Sequence, residues 1–97
     1  MTEVQAVARW TMTAGKEDEV LAVLPELIAA VRAESGNIEF TAYRELDDPR
    51  RLAFIERYTS PETYADHRAS THIKSLVLEH IVPLLDDRVI EEFGTGG

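Results

Sequence analysis

From Val4 to Met12 apolar and polar positions alternate, with Val4, Ala6, Ala8, Trp10 and Met12 on one face and Gln5, Val7, Arg9 and Thr11 on the other. A period of two over that length predicts a strand. Ala14-Gly15 turns the chain, and Glu17, Asp18 and Glu19 crowd the next start, where the positive end of a helix favours negative charge. Val20, Leu21, Val23, Leu24, Leu27, Ile28 and Val31 then form the broad apolar stripe of a helix packed on one face. Pro25 lies inside that stripe. Proline lacks an N–H and crowds the preceding turn, so a kink or a helix in two pieces is expected there. Glu34-Ser35-Gly36-Asn37 reads as the helix's C-terminal stop.

Alternation returns from Ile38 to Leu46, with Ile38, Phe40 and Ala42 opposite Glu39, Thr41 and Tyr43. Asp47-Asp48-Pro49-Arg50 is a turn. Arg51 to Thr59 is a further strand, with Leu52, Phe54, Glu56 and Tyr58 on one face and Ala53 and Ile55 on the other, and the pair predicts an antiparallel hairpin. At Ser60-Pro61 the period lengthens: Ser60 caps a short helix over Pro61 to Arg68, with proline at the first helical position. Ser70 or Thr71 starts the next helix, whose Ile73, Leu76, Val77, Ile81 and Leu84 face inward, and Pro83 closes it. Asp86-Asp87 leads into a last strand from Arg88 to Phe93, and residues 94–97 are expected to be a flexible tail.

The predicted order, βαββαβ with the second helix broken in two, is an α+β, ferredoxin-like unit in a single domain over residues 1–97: an antiparallel sheet with helices on one face. The other face has no helix to cover it, yet Val7 and Ile55 lie there. An uncovered apolar sheet face marks an association surface, so a homodimer that stacks its sheets into a barrel is expected.

Composition narrows the function classes. Ten basic residues against 18 acidic ones give a net charge of −8. That sign opposes nucleic-acid binding and binding to an anionic membrane surface. No apolar run approaches the ~20 residues that span a bilayer, and Met1 to Trp10 lacks the pattern of a signal peptide. The absence of cysteine fits a cytoplasmic protein.

Two of the three histidines, His67 and His72, flank the helix junction at Ser70. Histidine is the side chain most easily poised to exchange a proton near neutral pH. Tyr64, His67 and Arg68 share one face of the short helix. His80 falls on the apolar stripe, three positions after Val77, and is expected in the core or lining a cleft. Glu56 shares a face with Phe54 and Tyr58, where a carboxylate must be paired, with Arg9 or Arg44 as the ordinary partner, or have a raised pKa and serve in substrate binding or proton transfer. Trp10, Tyr43, Tyr58 and Tyr64 are aromatic rings with a polar handle, suited to walling a flat substrate. The histidine spacings match no standard zinc arrangement, and adjacent Asp66 and His67 diverge on a helix, so no metal is expected. Glycine-rich phosphate loops and nucleophile elbows are absent from the sequence.

These residues resemble the antibiotic biosynthesis monooxygenase (ABM) family of dimeric α+β barrel proteins, from about Val4 to Phe93. The resemblance rests on residues 34–43 (Glu-Ser-Gly-Asn-Ile-Glu-Phe-Thr-Ala-Tyr), on Asp47-Asp48-Pro49, on the run from Phe54 to Glu62, and on His67 through His72. It implies an oxygenase without cofactor that acts on quinols, anthrones or similar phenolic rings and dioxygen. His67 or His72 would be the base or anion partner, and Trp10, Tyr43, Tyr58 and Tyr64 the ring walls or donors. Haem-degrading relatives use an asparagine, a tryptophan and a histidine where this chain has Ala8, His67 and Val77, so that activity is not expected. Other relatives act on small phosphorylated signalling molecules, which would need arginines such as Arg9, Arg44, Arg57 and Arg68 to converge. A non-catalytic binding or stress-response dimer is the remaining alternative.

Overall fold

The computed structural model describes residues 2–95. Strand β1 (Glu3–Met12) leads through a turn to α1 (Glu17–Arg32), the hairpin β2 (Asn37–Arg44) and β3 (Arg51–Tyr58), and the short α2 (Pro61–Arg68). A wide π-helix, α3 (Ile73–Ile81), then runs through a 3₁₀ turn (Val82–Leu84) into β4 (Leu85–Thr95). The sheet is antiparallel in the order β2-β3-β1-β4. The fold is therefore α+β and ferredoxin-like, as the sequence pattern predicts.

The alternating residues of β1 and β3 meet face to face. Ala8 pairs with Phe54, Trp10 with Leu52 and Ala6 with Glu56, all buried on the helix side of the sheet. Val20, Leu24, Leu27 and Val31 of α1 and Ile73, Val77 and Ile81 of α3 close the core over them. Phe54 sits at its centre, with its ring 4.5 Å from Trp10 and 5.4 Å from Phe40. Gly15 takes the turn before α1 with φ of 87°, a conformation that glycine adopts without strain.

Four local expectations change. Helix α1 runs through Pro25 as one helix rather than in two pieces. Pro25 is exposed, so the hydrogen bond its ring omits lies on the outer side of the helix. Ile38 lies outside the core because a β-bulge intervenes: Asn37 pairs with Tyr58 but Glu39 with Arg57. The Asn37 side-chain amide spans that bulge, donating to the Glu39 and Arg57 carbonyls. On α3 the buried residues recur at every fourth position, as Ile73, Val77 and Ile81, because π winding carries more residues per turn than an α-helix. That winding turns His80 out to solvent instead of into the core or a cleft. Finally, β4 extends beyond Phe93, with Gly94 opposite Val4 and Thr95 opposite Glu3, so part of the expected tail is strand. The rest of it, Gly96 and Gly97, lies outside the described residues.

Helix α2 begins as predicted. Ser60 Oγ accepts from the Thr63 N–H at 3.1 Å, and Thr63 Oγ1 accepts from the Ser60 N–H at 3.1 Å, a reciprocal capping box. Ser60→Ala removes one half of it and is expected to cost about 1 kcal/mol of stability in urea unfolding.

Candidate active site

Between the helices and the strands β1, β3 and β4 lies a cavity of about 320 Å³. Trp10, Phe40, Phe54, Tyr64 and Ile73 give it apolar and aromatic walls, and Glu56, His67, Arg68, Arg88 and Glu92 bring charge or polarity to it. Its volume falls within the range of small-molecule sites. The Trp10 indole nitrogen in this wall is buried without a hydrogen-bond partner. Leaving such an N–H unpaired costs on the order of 1–3 kcal/mol, which a ligand oxygen could recover.

The polar end is built by the chain's turns. Strand alternation places Glu56 inward, opposite Ala6 and Phe40, and sets Tyr58 behind it on the same face. The Tyr58 hydroxyl donates to Glu56 Oε1 at 2.7 Å. One turn after Tyr64, His67 brings its ring 4.9 Å from Tyr58 and nearly parallel to Tyr64, at 13°. Its Nε2 stands 3.5 Å from Glu56 Oε1, and its Nδ1 lies 2.9 Å and 3.1 Å from the two Glu34 oxygens. His72 Nε2 meets the same carboxylate at 2.5 Å. Ser70 fixes this junction: its Oγ donates to the His67 carbonyl at 2.7 Å and accepts from the Ile73 N–H at 3.3 Å. Arg68 lies over the Tyr64 ring, 4.9 Å from its centroid, and the Tyr64 hydroxyl donates to Glu92 at 3.1 Å.

Burial sets the protonation states. Desolvation pushes the Glu56 carboxyl up from 4.5 to about 7; the Tyr58 hydrogen bond opposes this, the Glu34 charge adds to it, and Arg88 opposes it. His67 is held below its ordinary value, first by desolvation, against the pull of Glu34. Its imidazole is therefore neutral near pH 7, with Nδ1–H donating to the Glu34 carboxylate and a lone pair at Nε2. Both tyrosines are pushed up, first by burial and then by the neighbouring carboxylates, so they remain hydrogen-bond donors rather than phenolates.

The model of the antibiotic biosynthesis monooxygenase family matches residues 4–77 of this sequence. The chain belongs to that family. Solved structures share its fold over nearly their whole length. Protein SO0527 from Shewanella oneidensis is 25% identical, with 96% of this chain and 90% of that one covered at a TM-score of 0.89. Rv0793 from Mycobacterium tuberculosis is also 25% identical, with 94% and 92% covered at 0.86. An antibiotic biosynthesis monooxygenase is 22% identical, with 93% and 95% covered at 0.88. No curated protein matches the sequence.

In this ABM-family domain the structure brings together most of the residues the sequence singles out. Trp10, Glu56, Tyr64 and His67 line the cavity, Tyr58 backs it, and His72 joins from behind through Glu34. Two residues fall elsewhere. Tyr43 lies on the outer face of the sheet, opposite Ala53 and 53% exposed, because strand alternation turns it away from Phe40 and Ala42. His80 is exposed on α3 for the winding reason given above. Of the four arginines considered for a phosphorylated ligand, only Arg68 reaches the cavity. Arg9 pairs with Glu91, Arg57 with Glu3, and Arg44 donates to the Pro49 carbonyl. Sequence reasoning misses Glu34, Arg88 and Glu92. Glu34 reads as part of a helix stop, and only the folded α1–β2 turn carries it to His67.

The raised Glu56 pKa has a stability signature. Its folded value exceeds the unfolded one, so the folded state binds the proton more tightly and is favoured below pH 4.5. That advantage is lost as pH rises from 4.5 to about 7. The full shift carries roughly 3 kcal/mol at 1.36 kcal/mol per unit. Glu56→Gln keeps an acceptor for Tyr58 and removes the titration. At pH 8, in chelator, it is expected to be more stable than the wild type by about 2 kcal/mol in urea unfolding, less than the full figure because the amide must itself be buried. Equal stability of the two proteins at pH 8 would show that Glu56 carries no such burden.

Proposed function

We propose that the protein is a cofactor-independent monooxygenase that oxidises a quinol, anthrone or similar electron-rich phenolic ring with dioxygen. The observation that carries this reading is the pairing of a neutral imidazole, His67, with the buried Glu56 carboxyl in the wall of an aromatic cavity. The substrate hydroxyl gives its proton to His67 Nε2, and Glu34 on the opposite ring nitrogen stabilises the imidazolium that forms. The aromatic anion passes one electron to dioxygen, and the aryl radical and superoxide combine at a ring carbon. At an anthrone-type carbon the resulting hydroperoxide collapses, so that CH₂ becomes C=O and the second oxygen leaves as water with both hydrogens. The protein's part is to hold the ring between Trp10, Phe40, Phe54 and Tyr64, to exclude water, and to offer the Trp10 N–H to the developing oxyanion. Lowering a phenolic pKa from about 10 towards 7 takes roughly 4 kcal/mol, within reach of a few preorganised donors.

The test is oxygen uptake by chelator-treated protein offered a panel of quinols and anthrones, corrected for autoxidation. One dioxygen consumed per substrate, with one labelled oxygen atom from ¹⁸O₂ in the product, is the expected result. Substrates that bind in the cavity and are never turned over would replace the oxygenase with a binding protein.

The same reading places a second copy of the chain on the outer sheet face, in the cytoplasm. Val7 pairs there with Ile55, and Tyr43, Val89 and Phe93 stand exposed on the same side. These apolar side chains, interrupted on that face by the Arg9–Glu91 pair, fit a homodimer closing a barrel between two sheets. Sedimentation equilibrium at micromolar concentration is expected to give the dimer mass for the wild type and the monomer mass for Ile55→Glu. A monomeric wild type would remove the dimer.

A further inference from the structure

We infer that Glu34, His67 and His72 form a binding site for a divalent transition ion of the zinc class, on the side of His67 that faces away from the cavity. One ligand atom from each of the three lies within 4.8 Å of the other two. The sequence hides this grouping, because the carboxylate comes from the α1–β2 turn, one imidazole from the last turn of α2 and the other from the entry to α3. Both imidazoles converge on a single oxygen, Glu34 Oε2, at 2.9 Å from His67 and 2.5 Å from His72. Ligands bound tetrahedrally at about 2.0–2.1 Å from an ion stand roughly 3.3–3.4 Å apart. Each Glu34–histidine separation would open by less than about 1 Å to seat the ion, while the two imidazole nitrogens, within 4.8 Å of each other, would settle at the same spacing.

The donor set selects the metal. Two imidazoles and one carboxylate, leaving a position for water, suit zinc, cobalt or nickel; magnesium and calcium prefer an all-oxygen shell. Four further features fit an ion here. His67 bound through Nδ1 would carry its proton on Nε2, which faces Glu56 at 3.5 Å, and Glu56 is held in turn by the Tyr58 hydroxyl. A carboxylate behind a ligating histidine is the usual supporting partner of such sites. A recess of about 230 Å³ beside the cluster, lined by Glu34, Ser35, Gly36, Thr63, Asp66 and His67, gives a route in from solvent. The side chains of His67, Glu34 and His72 are 7%, 15% and 25% exposed, so the site is shielded yet reachable. A net charge of −8 draws cations towards it.

Binding can be read without turnover, so it stands or falls independently of the oxygenase. Only one consequence rests on the earlier reading: an ion on Nδ1 turns Nε2 from proton acceptor to donor and would stop base chemistry in the cavity.

The experiment is titration of chelator-treated, dialysed protein with Co²⁺, followed by visible ligand-field absorption and by calorimetry. One Co²⁺ per chain is expected, displaced by one Zn²⁺ and unaffected by excess Mg²⁺. Glu34→Gln and His72→Ala should each weaken binding at least tenfold, and Glu56→Gln by about 10-fold through the supporting carboxylate. Circular dichroism on each variant checks that it is folded, and Glu34→Gln, the closest in shape, keeps the test valid if His72→Ala is not. No saturable binding to the wild type, or binding undiminished in the folded variants, would overturn the site.

Discussion

His67→Asn is expected to lower turnover with a bound quinol or anthrone by about 10³-fold, within the 10²–10⁴ that positioned proton transfer contributes. The substitution is chosen for its shape. An asparagine amide reaches the place of Nδ1 and can still donate to Glu34, but it has nothing at the place of Nε2. Removing the ring altogether would instead leave Glu34 and Glu56 without their shared neighbour in a buried setting, a change that mixes stability with catalysis. The loss should appear in kcat with little change in KM, since the aromatic walls that hold the ring are untouched. Added imidazole should recover part of the rate by occupying the vacated space. A folded His67→Asn protein that turns over at the wild-type rate would take the base role away from this residue.

Much of this arrangement is legible in the amino-acid sequence, for a physical reason. Strand alternation is a local property, and it alone puts Ala8, Trp10, Phe54, Glu56 and Tyr58 on one buried face. Ser60-Pro61 likewise announces α2 through local capping chemistry, and with it the position of His67. What escapes the sequence is decided by longer-range or subtler geometry. The bulge at Ile38 depends on the Asn37 amide reaching across to the neighbouring strand. A π-helix and an α-helix share nearly the same apolar pattern over nine residues, so the fate of His80 cannot be read from spacing. Glu34 is the instructive omission. Its neighbours Ser35, Gly36 and Asn37 have the composition of a helix stop, and nothing local reveals that the turn is also pressed against another helix.

That pressure leads to the largest stability effect expected of a single substitution here. Gly36→Ala should cost at least about 3 kcal/mol, at or beyond the upper end of ordinary overpacking. The reason is not backbone conformation, since Gly15 alone among the described residues has positive φ. It is space: a Cβ on Gly36 would overlap the Thr63 Cβ, Cγ2 and Oγ1 together. Neither partner is free to yield. The Gly36 carbonyl accepts from the Thr59 N–H at 3.0 Å, and Thr63 is bound into the capping box with Ser60. Relief must come from moving the whole α1–β2 turn off α2, and that turn carries Glu34. Gly36→Ala is thus expected both to lower the urea midpoint and, in whatever fraction stays folded, to draw the carboxylate away from His67 and His72. The second effect is visible separately, as altered NMR chemical shifts of the two histidine rings below the unfolding transition. A Gly36→Ala protein of wild-type stability with unchanged histidine ring shifts would mean that α2 and the turn are not in the close contact on which Glu34's position depends.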